Sequence, residues 1–233
     1  MLKTEIEEIL LASKEWGWVL EPEAKRLLGL AGLETTRFQW VHQLEEALQF
    51  AEEIGYPVVA KVVSPEALHK SEVDGVAVGI TDSKMLSKVF ERFSTFQGFN
   101  GVLVEEMVSG TELIVGAKID YQFGPIILLG IGGTGVEIYQ DTTLRMAPLS
   151  QQDVDYMING LKAGQLLKGY RGSEPVSLMA LDSLLKTFSA LVMEIEPSIE
   201  SIDLNPVMCN AKRCVVADAR IMVRDSVKNL QGE

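Results

Sequence analysis

Apolar positions recur at helical spacing over residues 2–15 (LKTEIEEILLASKE), which predicts an amphipathic helix, with Trp16 and Trp18 following around Gly17. Pro22 suits the first turn of a second helix, PEAKRLLGLAG. A third runs from Gln43 to Ile54 and is closed by Gly55. The pattern then shortens to strand length. VVAKVV and GVAVGI read as strands, SKMLSKVFERF as a helix, and GVLVEEMV and TELIVGAKI as strands separated by a break at Ser109-Gly110. GPIILLGIGG is an apolar strand ending in glycines, and VEIYQD and TLRMAPL read as short strands. Helices are predicted at roughly 151–168 and 178–194, and two alternating strands, SIESIDLNPVMCN and RCVVADARIMV, close the chain. No repeat or low-complexity linker interrupts this order. The one seam, near 109–111, separates two lobes (21–109 and 110–233) that each mix helix and strand and follow an N-terminal helical segment (1–20). The predicted class is α+β, and a cleft between two such lobes is the default ligand site.

Composition narrows the function. The 233 residues are 47% hydrophobic and 23% charged, as in ordinary globular proteins. No stretch of eighteen apolar residues predicts a membrane span, and the acidic, periodic N-terminus predicts no secretory signal. A net charge of −12 argues against nucleic acid as a partner, so any phosphate site must concentrate its few cations locally. Cys209 and Cys214 flank the turn-like NAKR and are expected to face each other as reduced thiols in a cytoplasmic protein.

The densest chemistry lies between Val58 and Val76. Lys61 sits inside the apolar run VVAKVV. Burying an ammonium without a partner is costly, so it is expected to point at an anion. A lysine on the solvent face of a half-exposed strand is an equal alternative on this feature alone. His69 follows on a loop with Ser64-Pro65 before it and Gly75 after it, among Glu66, Ser71, Glu72 and Asp74. Imidazole there can carry a proton or a phosphoryl group, or simply face solvent. His42, the other histidine, reads as structural or surface. Glu105 and Glu106 end one strand and Glu112 begins the next, where carboxylates and backbone groups can hydrogen-bond a base and a ribose or form a solvated acidic edge.

GIGGTG (130–135) resembles a phosphate loop but lacks the Lys-Ser/Thr that would follow in a nucleotide-binding P-loop. Asn205 and Asp218 stand thirteen residues apart on the closing strands, with Asp203 two residues before Asn205 on the same face. An amide oxygen with a carboxylate makes a sparse hard-oxygen site suited to magnesium, whereas an Asn-Pro by itself reads as a turn or a strand end.

Together these segments resemble an ATP-grasp domain. More narrowly, they are similar to the β subunit, or β-type domain, of NDP-forming acyl-CoA synthetases such as ADP-forming acetyl-CoA synthetase, relatives of the succinyl-CoA synthetase β subunit. The resemblance runs through EAKRLLGLAGL, AEEIGYPVVAKVVSPEALHKSEVDGV, VEEMVSGTELIVGAKIDYQFGPIILLGIGGTGVEIYQDTTLRMAPL, LLKGYRG and IDLNPVM, with the HKS loop as its discriminating motif. It implies a two-lobed fold with the nucleotide cleft between the lobes. It also implies Lys61 as the phosphate-contacting lysine and His69 as a transiently phosphorylated carrier. Glu105, with the backbone of Glu106, Met107 and Val108, would form the hinge that reads adenine, and Glu112 would contact ribose. Asn205 and Asp218 would hold Mg2+, and Arg145 and Arg171 would act electrostatically. ATP/ADP would be a substrate, and a CoA-binding α subunit would complete a hetero-oligomer. A stand-alone ATP-grasp ligase and a non-catalytic regulatory subunit are the alternatives. The chain departs from the family pattern at Asp74-Gly75, where two glycines are expected.

Overall fold

The computed structural model describes residues 2–66, 74–133, 141–169 and 174–224. His69, Ser71, Glu72, Thr134-Gly135, most of the predicted strand VEIYQD and Arg171 lie outside these residues. The chain forms two compact units: Met1–Val19, Glu23–Thr35 and Ser109–Glu233 make the larger, and Leu20–Pro22 with Thr36–Val108 the smaller.

In the larger unit, α1 (Leu2–Ala12), β1 (Trp18–Val19) and most of α2 (Glu21–Leu30) come first along the chain. Residues 23–35 thus belong to this unit and not to a lobe spanning 21–109, because Ala24, Leu27 and Leu28 of α2 are buried in its core.

The smaller unit is a four-stranded antiparallel sheet in the order β2-β5-β3-β4, built from β2 (Phe38–Val41), β3 (Val58–Val62), β4 (Val76–Ile80) and β5 (Val102–Glu106). Helices α3 (Leu44–Ile54) and α4 (Ser83–Phe93) bury Ala47, Phe50, Ala51, Leu86, Val89, Phe90 and Phe93 with Val58, Ala60, Val62 and Val104 of the sheet. Both helices start on capped N–H groups. Glu46 accepts from the backbone N–H groups of His42 and Gln43, and Asp82 accepts from that of Met85. The central strand β3 is buried along its whole length, as its unbroken apolar pattern predicts.

The larger unit carries a seven-stranded sheet in the order β1-β11-β9-β6-β7-β8, with β10 also paired to β9. Its further strands are β6 (Thr111–Asp120), β7 (Gly124–Ile131), β8 (Thr142–Met146), β9 (Ile199–Cys209), β10 (Cys214–Val216) and β11 (Arg220–Val223). Helices α5 (Gln151–Gly160) and α6 (Leu178–Ile195) complete it, and Leu181, Leu185, Phe188 and Val192 of α6 share a core with Val115, Ile127, Leu129, Ile202 and Leu204 of the sheet. The predicted helix at 151–168 stops at Gly160 and resumes as a 3-10 turn, Gly164–Lys168. Asp141, the last residue of the segment VEIYQD, is buried and not in a strand. Its carboxylate accepts from the backbone N–H groups of Lys162 and Ala163, each at 2.7 Å, and so fixes that interruption. No helix among the described residues is long and apolar enough to cross a membrane.

Candidate functional site

In the smaller unit, Lys61 projects from fully buried β3 with only 6% of its side chain exposed. Its Nζ lies 2.6 Å from Glu21 Oε1 and 2.9 Å from Glu105 Oε1, and both of those carboxylates are at least 97% buried. The anion expected opposite this lysine is therefore, first, a pair of the protein's own carboxylates. The solvent-facing alternative for Lys61 is overturned: β3 is the middle of three consecutive strands, and both of its faces are covered. Thr36 Oγ1 donates to Glu105 Oε2, so both oxygens of Glu105 already accept hydrogen bonds inside the unit. Sequence reasoning missed Glu21 and Thr36. The one available signal was a carboxylate directly before Pro22 at a helix start, which reads as an ordinary first-turn acid.

Beyond β5 the chain leaves strand geometry at Met107 and Val108, and Met107 is 45% exposed. The Glu106 carboxylate accepts from the backbone N–H of Arg37 at 3.0 Å and lies 3.5 Å from Arg37 Nε, and the Glu106 N–H donates to the Arg37 carbonyl at 2.9 Å. These bonds tie the end of β5 to the chain entering β2, and 107–108 follow that tie outside the strand.

Both stems of the segment that carries His69 are anchored in this unit. The Val62 N–H donates to the Gly75 carbonyl at 2.9 Å, closing the base. On one side, buried Ser64 donates to the Gln97 carbonyl at 2.8 Å and accepts from the Glu66 N–H at 3.1 Å. On the other, Asp74 takes the left-handed backbone, with φ +57°, and its carboxylate sits 2.6 Å from Arg92 of α4. The departure from the family pattern thus keeps a glycine's conformation and adds an ion pair.

In the larger unit, β10 and β11 follow one register against β9: Val216 faces Val207 and Arg220 faces Asp203. Continued through the gap, that register sets Asp218 opposite Asn205. Asp218 lies in the break between the two strands, at 217–219, and not on a continuous hairpin strand as the alternation predicts. The break coincides with a bulge. Between the pairs Leu113–Val207 and Val115–Leu204, Asn205 and Pro206 of β9 together face Ile114 of β6. Pro206 has no N–H to give the ladder there, although its carbonyl still accepts from Ala217 at 3.0 Å. The result is an exposed Asn205 and a half-buried Asp218 at one point of the sheet, with the Asp203–Arg220 ion pair (3.2 Å) two residues along each strand. Among the described residues no group of three or more His, Cys, Asp or Glu side chains could hold a metal. One amide and one carboxylate oxygen suit Mg2+, which keeps most of its shell for water and phosphate.

Glu112, on β6, is exposed, and its carbonyl accepts from the Gly132 N–H at 2.7 Å. A Cβ at Gly132 would meet the Glu112 backbone at 2.9 Å, so the glycine-rich end of β7 is required by close approach to β6. Arg145 has partners within the larger unit. Its guanidinium stacks 3.3 Å from the Tyr156 ring centroid and lies 3.8 Å from Asp153. Hydrogen bonds from Ser150, with Arg145 nearby, hold the Asp153 carboxyl below the usual range. Cys209 and Cys214 face each other across β9 and β10 as buried free thiols. The hydrogen bond to Cys214, together with burial, raises the Cys209 thiol pKa.

The ATP-grasp family model matches residues 11–223, and the chain belongs to that family. Within it, the chain is 37% identical to the β subunit of ADP-forming acetate–CoA ligase I from Pyrococcus furiosus, over 88% of this chain and 91% of that protein. It is 38% identical to the β subunit of ligase II from the same organism, over 94% and 96%. The acetyl-coenzyme A synthetase 1 of Ca. Korarchaeum cryptofilum was solved with coenzyme A and Mg-AMPPCP, its phosphohistidine segment pointing towards the nucleotide binding site. It superposes with a TM-score of 0.83 at 40% identity, covering 94% of this chain and all of that one.

Proposed function

We propose that this chain is the nucleotide-binding β subunit of an ADP-forming acyl-CoA synthetase, with acetyl-CoA as the reference substrate. It would work in the cytoplasm with a CoA-binding α subunit in a hetero-oligomer. Acyl-CoA, ADP and phosphate are converted to acid, ATP and CoA. The acyl and CoA chemistry belongs to the partner, and the phosphoryl group reaches this chain on His69. The observation that carries the reading is similarity to β subunits at 37–38% identity, over 88% and 94% of this chain and 91% and 96% of the relatives.

In the nucleotide step, a terminal phosphate oxygen of ADP attacks the phosphorus on His69. The new P–O bond replaces the P–N bond, and the electron pair returns to the imidazole nitrogen. Lys61 donates to phosphate oxygens from its fixed place on β3. The backbone of Glu106, Met107 and Val108 at the end of β5 reads the base, with Glu105 acting beneath it through Lys61, and Glu112 meets the ribose. Asn205 and Asp218 hold Mg2+, which when bound neutralises phosphate charge. The test is ATP synthesis from acyl-CoA, phosphate and ADP by this chain mixed with a CoA-binding α subunit. The reading expects ATP only when both chains are present, and none with His69→Ala. ATP formed at an undiminished rate by His69→Ala would refute the carrier role.

A further inference from the structure

We infer that Glu21 is a positioning residue for the phosphate-holding lysine, acting on nucleotide through Lys61 and not by contact of its own; this rests on the reading of Lys61 given above. An ammonium has three N–H donors arranged tetrahedrally. Glu21 at 2.6 Å and Glu105 at 2.9 Å engage two of them, which leaves at most one for any other acceptor and fixes its direction. A single carboxylate would set a distance and let the group swing about it. Two carboxylates from separate elements, the start of α2 and the end of β5, set Nζ in space and stop rotation about the Cε–Nζ bond. Glu105 is itself held by Thr36, and Lys61 by the buried strand β3, so the network is rigid on three sides. The side chains of Lys61, Glu21 and Glu105 are all more than nine-tenths buried. Preorganised donors of this kind cost no reorganisation when a phosphate arrives.

Charge gives the proposal a sign that a simple electrostatic role does not share. The Glu21 carboxylate is a negative charge 2.6 Å from the lysine, and by itself it repels a nucleotide. Removing Glu21 should therefore tighten ADP binding if only charge mattered, and weaken it if Glu21 aims Lys61.

The experiment is calorimetric titration of the full chain with MgADP, using Glu21→Gln, Glu21→Asp and Glu21→Ala, each checked for cooperative unfolding. Glu21→Gln keeps an acceptor oxygen in place and loses the charge, so affinity stays within about threefold. Glu21→Asp keeps the charge and withdraws the oxygen by a methylene, so affinity falls roughly tenfold or more, and Glu21→Ala falls at least as far. In a Lys61→Met background the Glu21→Gln and Glu21→Asp changes have no further effect, because there is no ammonium to aim. Equal or tighter binding by Glu21→Ala, a wild-type affinity for Glu21→Asp, or the same loss with and without Lys61 overturns the inference while the nucleotide reading stands. If the unaltered chain takes up no MgADP, the nucleotide reading falls and this inference falls with it. Glu21→Gln and Glu21→Asp alone decide the question should the alanine variant not fold.

Discussion

Asp74 is the one non-glycine among the described residues with a positive φ, and it stands at a stem of the segment that carries His69. An ordinary L-residue in the left-handed region costs about 1–2 kcal/mol, with Asp at the low end because its short side chain bonds locally. Its ion pair with Arg92 has side chains 44% and 77% exposed, which places it in the range of about 0.2–1 kcal/mol. Replacing Asp74 with glycine removes the backbone cost and loses the pair. These nearly cancel, and stability should change by less than about 0.5 kcal/mol. Replacing it with alanine loses the pair and also raises the backbone cost above the low end that Asp occupies, by about 0.5–1 kcal/mol, so the loss should be about 1–1.5 kcal/mol. Arg92→Ala loses the pair, about 0.5 kcal/mol, along with the guanidinium's place 5.0 Å from the Phe93 ring centroid, and the ion-pair part of the loss shrinks at high salt. At this chain length 1 kcal/mol corresponds to roughly 2–4 °C in melting temperature. Differential scanning fluorimetry of the three variants should therefore place Asp74→Gly within about 2 °C of the wild type and Asp74→Ala about 2–6 °C below it. Equal melting temperatures for the glycine and alanine variants would refute the backbone argument. A salt-independent loss in Arg92→Ala would refute the ion-pair argument.

Three further outcomes follow from the geometry. Cys209 and Cys214 should resist alkylation in the folded chain at pH 7–8 and react fully after unfolding. The raised Cys209 pKa stabilises the fold below about pH 8.5, where an unfolded thiol begins to ionise, and that contribution should be lost as pH rises further. Gly132→Ala forces a Cβ to 2.9 Å from the Glu112 backbone and should destabilise by about 1–3 kcal/mol in urea titration. Asp218→Ala should raise the magnesium concentration needed for half-maximal ATP synthesis roughly tenfold or more, and an unchanged requirement would remove Asp218 from the metal site.

Much of this architecture was legible because the apolar pattern has helix or strand period in long segments. Helix α4 follows SKMLSKVFERF residue for residue, and β3 through β7 fall on their predicted runs. The elements that escaped notice are those whose stability comes from partners. β1 is two residues long and exists because β11 pairs with it. β2 has Phe38 and Trp40 only half buried and is held by β5. The break around Asp218 depends on a bulge in a different strand, which no local pattern reports. In the site, Lys61 could be singled out because an ammonium in an apolar run is anomalous. Glu21 could not, because an acid in a helix's first turn is ordinary until the fold brings it 2.6 Å from Lys61 across forty residues of chain.

The central claim is that His69 carries a phosphoryl group between a CoA-binding partner and the nucleotide. It is tested most directly by mass spectrometry of this chain after incubation with the partner, acyl-CoA and phosphate without ADP, followed by a chase with MgADP. A phosphoryl group should appear on His69 and disappear on the chase as an equal amount of ATP forms. ATP formation with no phosphorylated His69, or a phosphorylated His69 that MgADP does not discharge, would contradict it.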